Sequence, residues 1–212
     1  MIQPLIKICG LTTAETLEAA IAARADHFGL MFYAPSPRHL SFAAAAQLAA
    51  QAGTRIGRVG VFVDPDDALV EQAVAAGQLD ALQLNGTDPA RRAELRARYG
   101  LPVWAVQEVA GPDSLTRLDR RCADDLLLYD AKTPKGAALP GGMGLSFDWA
   151  MLASVRHPQH WGLAGGLTPA NVANAIAQTG APLVDTSSGV ESAPGIKDPA
   201  LIAAFCKAAR AT

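Results

Sequence analysis

The sequence predicts an α/β chain folded as a closed (β/α)8 barrel, and three observations predict it. Short apolar runs rich in β-branched and aromatic residues alternate with alanine-rich segments of helical spacing along nearly the whole chain. Eight such runs occur, and a strand followed by a crossover helix feeds a parallel neighbour. No linker, low-complexity tract or composition shift divides the 212 residues, so a single barrel domain spanning residues 1–212 is expected. That length lies near a barrel's lower size limit, and a doubly wound open sheet is the competing arrangement.

In chain order, the first strand is read at Leu5–Cys9 and is followed by a helix over Thr13–Arg24 that a threonine opens. The second strand, His27–Phe32, precedes a helix at Ser41–Ala52, and the third, Gly57–Val63, a helix at Asp66–Ala76; Ser41 and Asp66 supply side-chain oxygens for the first free N–H groups. Ala81–Leu84 leads to Pro89–Tyr99, where proline occupies the first turn and its missing N–H costs nothing. Val103–Glu108 and Asp125–Asp130 are the fifth and sixth strands. Trp161–Ala164 with Thr168–Gln178, then Leu183–Thr186 with Asp198–Arg210, complete the count, and a short helix can begin at Ser188-Gly189.

Composition narrows the function. Half of the residues are apolar and 18% charged, with 19 Gly and 14 Pro, as expected of many short buried elements separated by turns. A net charge of -2 without Lys or Arg runs offers no field for polyanions, so neither nucleic acid nor a membrane surface is expected as partner. The first residues lack a basic stretch followed by an apolar core, and no apolar run approaches a bilayer's width, so the cytoplasm is the expected location. Cys9, Cys122 and Cys206 are an odd number without metal spacing and are read as free thiols.

Chemistry in a barrel sits at the carboxyl ends of the strands. The first strand ends at Cys9 in "KICGLT". The sixth delivers Asp130 to the mouth of a long glycine-rich loop, 131–145, of the length that forms lids and binding loops. An aspartate that caps a turn is the plain alternative. The seventh strand ends in "LAGGL" and the eighth in "DTSSGVES", so Gly165, Gly166, Ser187, Ser188 and Gly189 are candidates for holding a phosphate on backbone N–H groups, although tight turns explain either glycine pair alone. His157 and His160 precede the seventh strand, on the opposite face, and are read as surface residues; Cys122 and Cys206 are read as bystanders.

Together, "KICGLT", "GLMFYAPSPRHL", "VGVFV", "LQLNG", "LLLYDAKTPKG…GGMGLSFDW", "LAGGL" and "DTSSGVE" resemble the phosphoribosylanthranilate isomerase family of tryptophan biosynthesis, in the family's order and over nearly the full chain. The resemblance implies a (β/α)8 barrel without a cofactor, acting on a small phosphosugar; no metal is expected because the candidate site residues include no ligand cluster, and a monomer or homodimer is expected. The implied reaction converts N-(5-phosphoribosyl)anthranilate to an open-chain 1-deoxyribulose 5-phosphate by an Amadori rearrangement, with Asp130 as acid and Cys9 as base. Lys7, Arg38, Asp185, Gly142 and Gly144 are implied around the substrate, Arg38 as a bidentate partner of its aromatic carboxylate; without the motif, Arg38 reads as a solvated loop arginine. Two positions depart from the family pattern: Asn85 stands where histidine is usual, and Met143 where threonine is usual.

Opening a furanose ring needs an acid at the ring oxygen, and turning the resulting iminium into an enolamine needs a base at the second carbon. With ordinary pKa values of ~3.9 and ~8.5, Asp130 is ionised and Cys9 protonated at neutral pH, so the barrel mouth must shift one or both, or the two must share a proton. A catalytic Cys9 is expected to be open to the mouth, and a packing one buried. Other phosphosugar barrels, such as a ribulose-phosphate epimerase or an indole-glycerol-phosphate synthase, and a non-catalytic phosphosugar-binding barrel are the alternatives. The first would want metal ligands at the strand ends, and the second lysines, where Lys7 and Lys132 are only loosely placed.

Overall fold

The computed structural model describes residues 3–116, 125–131, 147–158 and 160–212. Eight parallel strands close into a barrel: β1 (Leu5–Cys9), β2 (His27–Met31), β3 (Gly57–Val63), β4 (Ala81–Asn85), β5 (Val103–Val109), β6 (Leu126–Ala131), β7 (Trp161–Leu163) and β8 (Leu183–Thr186). Closure is made by β1 on β8, with Leu5 opposite Leu183 and Lys7 opposite Asp185. An open sheet is thereby excluded.

Helices α1 (Ala14–Ala22), α2 (Phe42–Ala52), α3 (Asp67–Gly77), α4 (Pro89–Tyr99), α5 (Pro112–Thr116), α6 (Val172–Thr179) and α7 (Pro199–Ala209) follow strands along the chain. Thr13, Ser41, Asp66, Asp88 and Asp198 each accept an N–H of the helix they precede, contacts worth ~1 kcal/mol apiece. Three features depart from the sequence reading. α6 starts at Val172 because the Asn171 side chain accepts from the Thr168 N–H and donates to the Gly166 carbonyl, holding residues 168–171 as a turn. After β8 a single 3₁₀ turn (Ser188–Val190) leads into an antiparallel ribbon of β9 (Glu191–Ala193) and β10 (Ile196–Lys197). A further 3₁₀ segment spans Trp149–Ser154 before β7.

Side chains alternate in and out along each strand, and the inward positions stack in layers. Val59, Ala81, Trp104, Leu128 and Leu183 form a separate apolar cluster from five different strands, which plugs the lower barrel. Two residues onward along their strands lie Gln83, Asp130 and Asp185, so period two carries polar groups to the layer above the plug. Outward residues such as Ile6, Ile8, Phe28, Leu30, Phe62, Leu82 and Val184 are fully buried or nearly so against the helices. No helix among the described residues is long and apolar enough to cross a membrane.

His157 corrects its surface assignment. Its ring stacks on Trp161 (centroids 3.9 Å apart), meets Tyr129 edge-on and lies 3.3 Å by Nδ1 from the Tyr129 hydroxyl. Burial of three aromatic faces outweighs solvation of one imidazole, and that burial pushes its pKa down. Cys206 is buried in α7 with its thiol pushed up to about 11, chiefly by burial, as an inert packing cysteine requires. Cys122 lies outside the described residues.

Candidate active site

Lys7 is inaccessible to solvent in the barrel interior, with Nζ 2.9 Å from Asp185 Oδ1. Burial works against both charges. The attraction of Asp185, with that of Cys9, more than offsets it for Lys7, which is held protonated above its usual range; for Asp185 burial prevails and its pKa is raised. The pair occupies facing inward positions of β1 and β8. Both proposed proton-transfer groups feel it.

Cys9 stands two residues beyond Lys7, at the end of β1, and its sulfur fits because residue 29 is glycine: a Cβ there would lie 2.9 Å from Sγ. Cys9 is buried, 6% exposed, so it does not lie open to the mouth as expected of a catalytic thiol but has the enclosure expected of a packing one. Burial pushes its pKa up, while Lys7 and Lys197 pull it down and Asp185 opposes them. Its carbonyl accepts from Ser187 Oγ at 3.1 Å, which ties the first strand end to the loop after β8.

Asp130, at the end of β6, is partly exposed, and its carboxyl is raised to about 7. Burial is the main cause, followed by the negative charge of Asp185, with Lys7 in partial opposition. Gly165 lies against it at φ +86°, and a Cβ there would fall 2.6 Å from the Ala131 nitrogen and 2.9 Å from Asp130 Oδ1. Only glycine adopts that backbone at that approach without strain.

Arg38 is placed by a loop that folds back on β2: Leu40 N–H bonds to the Met31 carbonyl at 3.0 Å, and Arg38 N–H to Ser36 Oγ at 3.2 Å. It is a buried ion-pair partner and not a solvated loop arginine. Its Nε and Nη2 donate to the two carboxylate oxygens of Glu191 at 2.7 and 2.8 Å. Although burial works to raise it, Arg38 and Lys197 hold the Glu191 carboxyl below its usual range.

The loops after β7 and β8 meet. Thr186 Oγ1 donates to the Leu167 carbonyl at 2.7 Å, and Gly189 lies so close to that carbonyl that a Cβ would overlap it. Gly165, Gly166, Ser187, Ser188 and Gly189 are thus brought to one side of the mouth and are all partly exposed. Gly142 and Gly144 fall outside the described residues, as do Lys132 and Met143. Asn85 is committed to structure, its side-chain N–H donating to the Phe62 carbonyl at 2.8 Å.

Three residues of the mouth carried no functional reading in sequence. Glu191 and Lys197 form an ion pair across the β9–β10 ribbon. Gln83 points inward from β4, is 6% exposed, and its buried Oε1 has no hydrogen-bond partner among the described residues. Its period-two position, between Ala81 and Asn85, is the signal that marks it. No group of three metal-ligating side chains occurs among the described residues.

Comparison with known proteins places this arrangement. Residues 6–208 match the family model PRAI, N-(5'phosphoribosyl)anthranilate (PRA) isomerase. The N-(5'-phosphoribosyl)anthranilate isomerase of Paracoccus denitrificans is 53% identical over 209 residues, covering 98% of this chain and 96% of its own. That of Cereibacter sphaeroides is 51% identical over 207 residues, covering 97% and 98%. The crystal structure of phosphoribosyl anthranilate isomerase from Thermotoga maritima superimposes with a TM-score of 0.87 at 31% identity, over 99% of this chain and 100% of that one. A phosphoribosyl anthranilate isomerase in complex with reduced 1-(O-carboxyphenylamino)-1-deoxyribulose 5-phosphate gives a TM-score of 0.83 at 29% identity, over 99% and 100% of the two chains.

Proposed function

Because the chain belongs to the N-(5'-phosphoribosyl)anthranilate isomerase family and catalyses that rearrangement in tryptophan biosynthesis, we propose that Asp130 is its general acid and Cys9 its general base. The observation that carries this reading is the Lys7–Asp185 pair, whose charges act on Cys9 from one strand end and on Asp130 from another. The substrate's ring oxygen takes the proton of Asp130, and the C1–O bond breaks to leave an iminium between C1 and the anthranilate nitrogen. The thiolate of Cys9 then removes the C2 proton, and the electron pair moves to form the C1–C2 enolamine. Tautomerisation puts a proton on C1 and a ketone on C2. No cofactor is called for, because each step is a proton transfer.

With Asp130 near pH 7 and Cys9 raised, the active protonation state, neutral acid with ionised thiol, is a minor species at every pH. Its population is bell-shaped all the same, with bends that belong to the pair. The phosphate is held by backbone N–H groups of Gly165, Gly166, Ser188 and Gly189 and by Ser187, and the carboxylate by Arg38. Asp185 and Lys7 orient and balance the site from below.

Arg38→Met is expected to raise KM roughly ten- to a hundredfold with a smaller change in kcat, since a charge-assisted contact of ~1.5–3 kcal/mol is lost from ground state and transition state alike. Lys197 remains to neutralise Glu191 in that variant. Steady-state kinetics check it, and an unchanged KM would remove Arg38 from the substrate. Alkylation tests the base. Iodoacetamide at mildly alkaline pH is expected to abolish activity in step with modification of Cys9, and the reduced deoxyribulose phosphate product analogue to slow both. Labelling of Cys206 or Cys122 should track neither. Full activity after complete Cys9 modification would overturn the assignment.

A further inference from the structure

Glu191 opens β9 and Lys197 closes β10, facing each other across the ribbon. Their side chains are 4% and 0% exposed. Glu191 accepts from Arg38 Nε and Nη2 at 2.7 and 2.8 Å, from the Gly195 N–H at 3.1 Å and from Lys197 Nζ. Lys197 Nζ also lies 3.2 Å from the Ser187 carbonyl and 3.3 Å from Ser187 Oγ, whose hydroxyl in turn donates to the Cys9 carbonyl. A chain of buried polar contacts therefore runs Arg38, Glu191, Lys197, Ser187, Cys9.

A buried ammonium is costly unless matched by negative charge. Lys197 shares its one carboxylate with Arg38, so the charge that faces it is divided. The charged groups that act on the Cys9 sulfur are Lys7 from its own strand, Asp185 from β8 and Lys197 from β10; Arg38 packs beside the neighbouring Gly10. Lys7, although bound to Asp185 at 2.9 Å, favours the thiolate most strongly, Asp185 opposes it, and Lys197 adds to the effect of Lys7. Lys197 is the second cation facing the thiol, brought there by the ribbon and not by the strand that carries Cys9.

The geometry points to Lys197, held by Glu191 and Ser187, as a positioning residue that favours the thiolate of Cys9 and fixes the strand end that carries it. This rests on the reading of Cys9 as base. The ribbon that holds the arginine of the carboxylate subsite thereby also tunes the proton-abstracting group, which joins two functions in one buried cluster.

The test is the pH dependence of Cys9 alkylation by iodoacetamide in the full chain, read on the Cys9 peptide by mass spectrometry, for wild type, Lys197→Gln and Lys197→Arg. Glutamine keeps a donor toward Glu191 and Ser187 but removes the charge. Loss of a neighbouring cation is expected to move the Cys9 midpoint upward by about one pH unit, while Lys197→Arg keeps the wild-type midpoint. kcat/KM at neutral pH is expected to fall roughly tenfold in Lys197→Gln, through kcat and not KM, and to recover toward wild type as pH rises. An unmoved midpoint in the folded Lys197→Gln chain overturns the inference, whatever its activity. If that variant does not fold, Lys197→Met fills the same space without a buried polar group and carries the same expectation. A shifted midpoint accompanied by a fully active Cys9→Ser enzyme would uphold the electrostatic role of Lys197 and overturn the base assignment, so the two failures are distinct.

Discussion

Asp130→Asn is expected to lower kcat by about 10²-fold or more with KM nearly unchanged, because the amide keeps the carboxyl's size but has no acidic proton to give. The same substitution is expected to stabilise the fold at alkaline pH. The Asp130 carboxyl is raised to about 7 in the folded chain, against ~3.9 when unfolded. Between these values the folded state holds a proton that the unfolded state has lost, so wild-type stability falls as pH rises from about 4 to about 7. Asparagine escapes that loss. Urea midpoints should therefore coincide at pH 4 and favour Asp130→Asn at pH 8. Wild-type turnover in the variant would return Asp130 to the role of a turn residue, and equal midpoints at both pH values would mean that its carboxyl is not raised.

Cys9→Ser is expected to abolish turnover to a similar extent, at least about 10²-fold. Serine is nearly isosteric and fits the space that Gly29 leaves for the sulfur, so the barrel should fold with unchanged circular dichroism and retain affinity for the product analogue. A hydroxyl is far too weakly acidic to reach the ionised form in a site that already raises the pKa of a thiol by burial. Substrate turnover is followed as the loss of anthranilate fluorescence. A fully active, folded Cys9→Ser chain would leave the cysteine as a small apolar residue at a strand end.

The strand ends were legible because a barrel's inward positions repeat every second residue: once Leu128 and Leu183 are assigned to the interior, Asp130 and Asp185 follow, as does Cys9 from Lys7. Helix starts were legible where a single side chain makes the cap, as at Ser41, Asp66 and Asp88. What escaped is tertiary. The β9–β10 ribbon has strands of three and two residues, too short for any alternation to register. The partner of Arg38 lies 153 residues away on that ribbon, and nothing local marks Glu191 as the carboxylate that will meet it. His157 likewise reads as a polar residue until β6 and β7 bring Tyr129 and Trp161 to its two sides. The enclosure of Cys9 follows the same rule. Its own strand predicts a mouth position, and the loop after β8, tied down through Ser187, supplies part of the cover.

The measurement that tests the acid–base pair most directly is the pH dependence of kcat/KM for wild type, Asp130→Asn and Cys9→Ser under identical conditions. Wild type should give a bell that bends near pH 7, where Asp130 titrates, and falls only above the raised pKa of the Cys9 thiol. Asp130→Asn should lose the bend near pH 7 and keep rising until the thiol itself is ionised, with no alkaline fall. Cys9→Ser should do the opposite, its residual activity falling as pH rises past about 7, where the remaining acid loses its proton. An Asp130→Asn enzyme that retained the bend near pH 7, or a Cys9→Ser enzyme with the wild-type bell, would contradict the assignment of acid and base to these two strand ends.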